Sequence, residues 1–142
     1  VIRALLAALG IGLPMRRPPV YIAGPFAPNE GLTSEENTRR AVILAMHYRR
    51  LGHRVTCVHP DILGGVYGDD TDPVQRAQGA ERTLHLCRVT AEAGGILAVL
   101  ELPSGALSSG TAAEVKVFRR AGGETIERWT WNDGLRKSPV IA

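Results

Sequence analysis

The sequence predicts an α/β fold, a parallel sheet covered by helices. Three observations lead there. Short β-rich apolar runs alternate with longer segments of helical periodicity. One run, Ile96-Leu97-Ala98-Val99-Leu100, carries no polar residue, as a central parallel strand covered on both faces requires. Glycine and proline punctuate the intervals, at Gly24-Pro25, Gly94-Gly95 and Gly122-Gly123.

Residues 1–18 read as an N-terminal extension, a short helix or a tail, before a domain over 19–142. Ile2 to Leu13 is apolar like the core of a signal peptide, but Pro14 and Arg16-Arg17-Pro18-Pro19 follow, with no small-residue cleavage site. Val20-Tyr21-Ile22-Ala23 is the first strand, stopped by Gly24-Pro25. Ser34-Glu35-Glu36-Asn37 opens a helix, with Ser34 or Thr33 as N-cap and acids facing the positive end of the helix dipole. Ala41, Leu44, Ala45, Tyr48 and Leu51 recur at helical spacing, and Gly52 ends the helix. Arg54 to His59 is the second strand, closed by Pro60, and a Gly- and Asp-rich loop covers 61–73. Val74 to Glu92 is a helix with Ala77, Ala80, Leu84 and Cys87 near one face. After the strand from Ile96 to Leu100 come a small-residue loop, a helix from Thr111 to Ala121 and a weaker strand from Glu124 to Trp131. The tail after Asn132 reads as irregular. The order β-α-β-α-β-α-β makes this a single-domain, Rossmann- or flavodoxin-like parallel sheet of four to five strands with helices on both faces.

At 142 residues the chain has the length of one domain. Hydrophobic residues make up 44% and charged residues 22%, which excludes a disordered, collagen-like or coiled-coil chain. Seventeen Lys and Arg against 14 Asp and Glu give +3, a balance that suits an anionic small molecule. Aromatic residues are only 5% and scattered, and the arginines come in pairs such as Arg39-Arg40 and Arg49-Arg50, as on solvated helix faces. A nucleic-acid partner is therefore not expected. No apolar run reaches the ~18 residues of a membrane span. Cys57 and Cys87 fit neither a disulfide framework nor a zinc spacing; read as reduced thiols, they point to the cytoplasm and to no metal site.

In open α/β sheets ligands bind beyond the carboxyl ends of the strands, where the strand order reverses. The loops there start at Gly24, His59 and Glu101. Gly24-Pro25 lets a ligand approach the backbone. Ser108-Ser109-Gly110-Thr111 opens a helix with free N–H groups and short hydroxyls, which makes an anion site or simply a cap. Glu114 lies in the first turn of that helix, within reach of whatever the loop holds, and it also suits the helix dipole.

Several of these segments resemble the nucleoside 2-deoxyribosyltransferase superfamily, which includes nucleoside 5'-monophosphate N-glycosidases. The matching pieces are Tyr21-Ile22-Ala23-Gly24-Pro25-Phe26, Asn37 with Arg40-Ala41, Gly52-His53-Arg54-Val55, and Ser108-Ser109-Gly110-Thr111-Ala112-Ala113-Glu114-Val115. Together they lie within residues 20–123. The resemblance implies a retaining attack on an N-glycosidic bond, in which one hard displacement becomes two easier ones. Glu114 matches the nucleophile and Tyr21 the tyrosine that holds it. Ser108 stands six residues before Glu114, where nucleoside-type members carry aspartate and monophosphate-type members serine. A carboxylate there repels a 5'-phosphate, whereas a hydroxyl can donate to it.

The implied substrate contacts are Gly24, Pro25 and Phe26 from the first loop and Ser108, Ser109, Gly110 and Thr111 as phosphate cradle. Monophosphate members often carry an arginine in the first loop, at the position of Ala27; Arg40 is the candidate substitute. His59 is a candidate for the base pocket. The family's aspartate on the helix before the third strand, which acts on the leaving base, has no counterpart. His85 and Asp69, with Asp70 and Asp72 in the same loop, are the alternatives. Family members are dimers or larger, and Asn132 is a candidate for a residue lent across a subunit contact. The implied activity is hydrolysis of a (deoxy)nucleoside 5'-monophosphate to free base and sugar 5-phosphate, with neither cofactor nor metal. Base exchange between 2'-deoxynucleosides and a nucleotide-binding module without catalysis are the alternatives.

Overall fold

In the computed structural model, residues 4, 5, 8–10 and 17–139 are described. The short helix or tail expected over 1–18 lies for the most part outside them. The elements are β1 (Val20–Ala23), α1 (Ser34–Arg50), β2 (Val55–Thr56), α2 (His59–Leu63), α3 (Pro73–Glu92), β3 (Ile96–Leu100), α4 (Ser109–Arg120), β4 (Thr125–Trp131) and β5 (Leu135–Lys137). The architecture is α/β. The five strands stand in the order β2-β1-β3-β4-β5, the first four parallel and β5 antiparallel to β4.

Strand β1 and strand β3 are buried along their whole length, since each has a strand on both sides. Successive strand residues point to opposite faces, and two cores follow from that. Val20, Ile22, Ala98 and Leu100 pack with Ala41, Leu44, Ala45 and Tyr48 of α1. Tyr21, Ala23, Leu97 and Val99 pack with Cys87 and Ala91 of α3 and Phe118 of α4.

Helix boundaries follow local chemistry. The Thr33 hydroxyl accepts from the Glu36 N–H at 3.1 Å and caps α1, with Glu35 and Glu36 in its first turn. Asp72 caps α3 by accepting from the Val74 N–H at 3.0 Å, and Pro73 follows at a position where the missing N–H has no helical partner to lose. Ser108 caps α4, which starts two residues earlier than its apolar spacing suggests.

Two expectations fail. The second strand is only Val55–Thr56, and His59-Pro60 opens helix α2 instead of ending the strand, because proline is at home in a first helical turn. The tail after Asn132 is not irregular. Asp133 (φ 52) and Gly134 (φ 113) turn the chain, and β5 returns along β4 with Trp131 opposite Leu135. Residues of type Asp-Gly after an alternating strand are a hairpin signal that the sequence carried.

Candidate active site

Strands β1 and β3 are parallel neighbours, and the chain leaves them toward opposite faces, to α1 and to α4. This is the reversal at which doubly wound sheets place their ligands. A cavity of about 280 Å³ lies there. Gly24, Pro25, Phe26, Ala27 and Asn29 of the first loop form one wall, with His59 and Ile62. Ser108, Ser109, Gly110 and Glu114 of α4 form another, with Tyr21 behind them. Tyr67, Asp70, Gln75, Arg76, Gly79 and Thr83 form the third.

Glu114 keeps one face on the cavity, so water reaches it, yet protein atoms crowd its carboxyl. That desolvation pushes its pKa up to about 8, and the Tyr21 hydroxyl pulls it partly back. Tyr21 itself is fully buried. Burial and the facing Glu114 carboxyl push its pKa well above the usual phenol value. Its hydroxyl lies close enough to Glu114 and Thr83 for mutual influence, but meets no partner at full hydrogen-bond geometry. A buried polar atom left in this state points to a ligand or to water in the cavity. Cys87 packs behind Glu114, its thiol donating to the Glu114 carbonyl at 3.4 Å. Burial and the Glu114 charge push that thiol up to about 12, which leaves it inert.

The α4 N-terminus forms the rim. Ser108 Oγ accepts from the Thr111 N–H at 3.2 Å and lies 2.8 Å from Thr111 Oγ1. The cap satisfies the Thr111 N–H; those of Ser109 and Gly110, two residues that line the cavity, have no acceptor inside the helix. A Cβ added at Gly110 would meet nothing within 4 Å, so packing does not require glycine here. Gly24 differs, because a Cβ there would press on Leu100 Cβ at 3.1 Å.

His59 is a strut. It is only 3% exposed, and its Nε2 lies 3.1 Å from the Gly24 carbonyl, to which Nε2–H donates. Burial lowers its pKa, so the ring is neutral near pH 7. Its ring stands tilted against Phe26, with centroids 6.4 Å apart. Asn37 holds the same loop from below, its Nδ2 donating to the Phe26 and Ala27 carbonyls at 3.2 and 3.1 Å.

Glu114, Tyr21, Gly24, Pro25, Phe26, His59, Ser108, Ser109 and Gly110 thus share one cavity. Six other sequence candidates stand outside it, Asp72 among them as the cap of α3. Thr111 is fully buried beneath the cap. Arg40 sits on α1, on the opposite face of the sheet, with its guanidinium 4.9 Å from the Trp131 ring centre. His85 is exposed on α3. Asp69 folds back on Thr71, accepting from its N–H at 2.9 Å and its hydroxyl at 2.6 Å, bonds that lower its pKa. Asn132 is exposed in the β4–β5 turn. Sequence reasoning missed Arg76, which is the one arginine or lysine on the cavity wall and forms no ion pair among the described residues. It also missed Tyr67, Gln75 and Thr83. Among the described residues no group of three or more His, Cys, Asp or Glu could hold a metal ion, and no helix is long and apolar enough to cross a membrane. The chain matches no protein-family model, no curated protein and no solved structure.

Proposed function

We propose that the protein is an N-glycosidase that hydrolyses a (deoxy)nucleoside 5'-monophosphate to free base and sugar 5-phosphate. One observation carries this reading. The Glu114 carboxyl and the Tyr21 hydroxyl that influences it meet in a cavity whose rim is a helix N-terminus. A nucleophile and an anion site one helical turn apart suit a sugar with a 5'-phosphate.

In the proposed reaction Glu114 attacks the anomeric carbon, the carbon–nitrogen bond breaks, and the electron pair leaves with the base. Tyr21 donates to the Glu114 carboxylate and steadies its ionised form. The base needs a proton as it departs. Among the described residues Asp70 is the one carboxylate besides Glu114 on the cavity wall, since Asp69 and Asp72 are taken up in a turn and a helix cap. It supplies that proton, and it takes one from the water that cleaves the glycosyl ester. The phosphate lies on the Ser109 and Gly110 N–H groups, with the Ser108 hydroxyl and Arg76 beside it. Arg76 thus fills the part expected of an arginine at Ala27 or of Arg40. Phe26 and Tyr67 give the base apolar cover.

This chemistry needs no cofactor or metal. The reading carries with it a nucleoside 2-deoxyribosyltransferase-like domain, a cytoplasmic setting and a homodimer or larger homo-oligomer. The test of Asp70 is a leaving group that needs no proton. Asp70→Asn is expected to slow release of an ordinary base by roughly 10²-fold or more, while an already cationic 7-methylpurine leaves at close to the wild-type rate. Equal losses on both substrates would remove Asp70 as the acid. Addition of a second free base separates hydrolysis from base exchange, because only a transferase makes the new nucleotide.

A further inference from the structure

Two loops wall the cavity at its rim, and a side chain outside the cavity ties them together. Glu30 Oε1 accepts from the Ser104 backbone N–H at 2.7 Å, and Oε2 accepts from the Ser104 hydroxyl at 2.8 Å. Glu30 follows directly on the Gly24–Asn29 wall, and Ser104 lies in the loop that leads to Ser108.

The turn that carries Glu30 does not call for glutamate. Asn29 and Leu32 exchange backbone hydrogen bonds at 3.1 and 3.0 Å around two central residues. Their φ values are 47 at Glu30 and 81 at Gly31, both positive, as in a type I′ turn. That first central position favours Asn, Asp or Gly, and a longer side chain there is strained. Strain that persists implies a compensating contact, and the double bond to Ser104 is that contact. Both ends of the clasp are anchored. Asn37 holds the start of the first loop through the Phe26 and Ala27 carbonyls. On the other side Arg128 Nη2 donates to the Gly105 carbonyl at 3.0 Å, while Arg128 Nε pairs with the buried Glu101 at 2.9 Å.

We propose that Glu30 is a positioning residue, whose clasp on Ser104 holds the first-loop wall in register with the Ser108–Gly110 rim and so sets affinity for the substrate. The identity of that substrate rests on the proposed function; the clasp does not. Glu30→Asn is the informative variant, because asparagine suits the turn but is too short to reach Ser104. It is expected to leave Tm unchanged or raised and kcat close to wild type. KM for a nucleoside 5'-monophosphate is expected to rise roughly three- to tenfold. Glu30→Gln keeps one acceptor oxygen and is expected to fall between. Amide hydrogen exchange over residues 104–110 is expected to quicken in Glu30→Asn. An unchanged KM overturns the proposal, as does a fall in Tm with kcat and KM both impaired, which would mark a merely structural turn. If the wild type turns over no monophosphate, the proposed function fails, and exchange over 104–110 then decides the clasp alone; equal exchange in wild type and variant overturns it.

Discussion

Glu114 is the decisive single residue, because its two protonation states pull in opposite directions. With its pKa at about 8, the carboxyl is largely neutral at pH 7, whereas nucleophilic attack needs the ionised form. On a substrate whose base leaves without a proton, kcat/KM is therefore expected to rise with pH and level off above about 8, which a pH–rate profile reads directly. A flat profile from pH 6 to 9 would contradict that ionisation. Stability runs the other way. The native pKa lies above the ordinary 4.5, so the folded state holds the proton more tightly than the unfolded chain between those values. This group's contribution is fully present below about pH 4.5 and is lost as pH rises through about 8. Glu114→Gln is expected to abolish turnover, by at least about a thousandfold. It is also expected to raise Tm, by an amount that grows from pH 5 to pH 8 and then holds steady. Thermal melts of both proteins across that range check it.

At the scale of elements, the α4 N-terminus is the part of the expected site that borders the cavity, although the helix begins two residues before Thr111. Ser108-Ser109-Gly110 reads as a helix start with free donors, and the structure puts those residues on the rim. Gly110 is the probe. A Cβ there meets no protein atom, and alanine favours a helix over glycine by up to about 1 kcal/mol. Gly110→Ala is thus expected to raise Tm by a few degrees while it weakens binding of a monophosphate, a split that calorimetry and titration resolve together. Ser108→Asp complements it, since aspartate keeps the cap but sets a negative charge on the rim. KM for a monophosphate is expected to rise while Tm stays level; an unchanged KM would place the phosphate elsewhere. Helix α3 was the opposite case. Its periodicity is faint, and nothing in Gln75-Arg76 marks the first turn as a cavity wall, because that depends on how the loop before it packs. Gly79 shows the packing, since a Cβ there would touch Tyr67 at 3.4 Å. Arg40 failed for a related reason. Ala41, Leu44, Ala45 and Tyr48 turn toward the sheet on the face away from the cavity, and residue 40 goes with that helix.

Across the whole molecule, the alternation of apolar runs marked β1 as buried and β3 as central, and both stand inside the sheet. It did not place the edges. Strand β2 has only partly buried residues, and its pairing with β1 spans Val20 to Tyr21, so little hydrophobic pattern defines it. The C-terminal hairpin is held by contacts far apart in sequence. Tyr48 of α1 donates to Glu127 and accepts from the Trp129 indole N–H at 2.9 Å, and Lys137 pairs with Glu127 at 3.4 Å. Such a network is invisible in a linear pattern. The cavity, in contrast, gathers residues from both halves of the chain, so a ligand bound there stabilises the fold as a unit. At one hundred times its dissociation constant a true substrate adds about 2.7 kcal/mol, or roughly 5–10 °C in Tm. Nucleoside 5'-monophosphates are expected to give that shift and the corresponding nucleosides much less, by differential scanning fluorimetry.

The most direct measurement is chromatography of a panel of ribo- and deoxyribonucleoside 5'-monophosphates, and of their nucleosides, incubated with wild type and with Glu114→Ala. Wild type is expected to release free base and sugar 5-phosphate from at least one monophosphate, and the variant none. Base release by Glu114→Ala at the wild-type rate, or no release by wild type from any monophosphate, would contradict it.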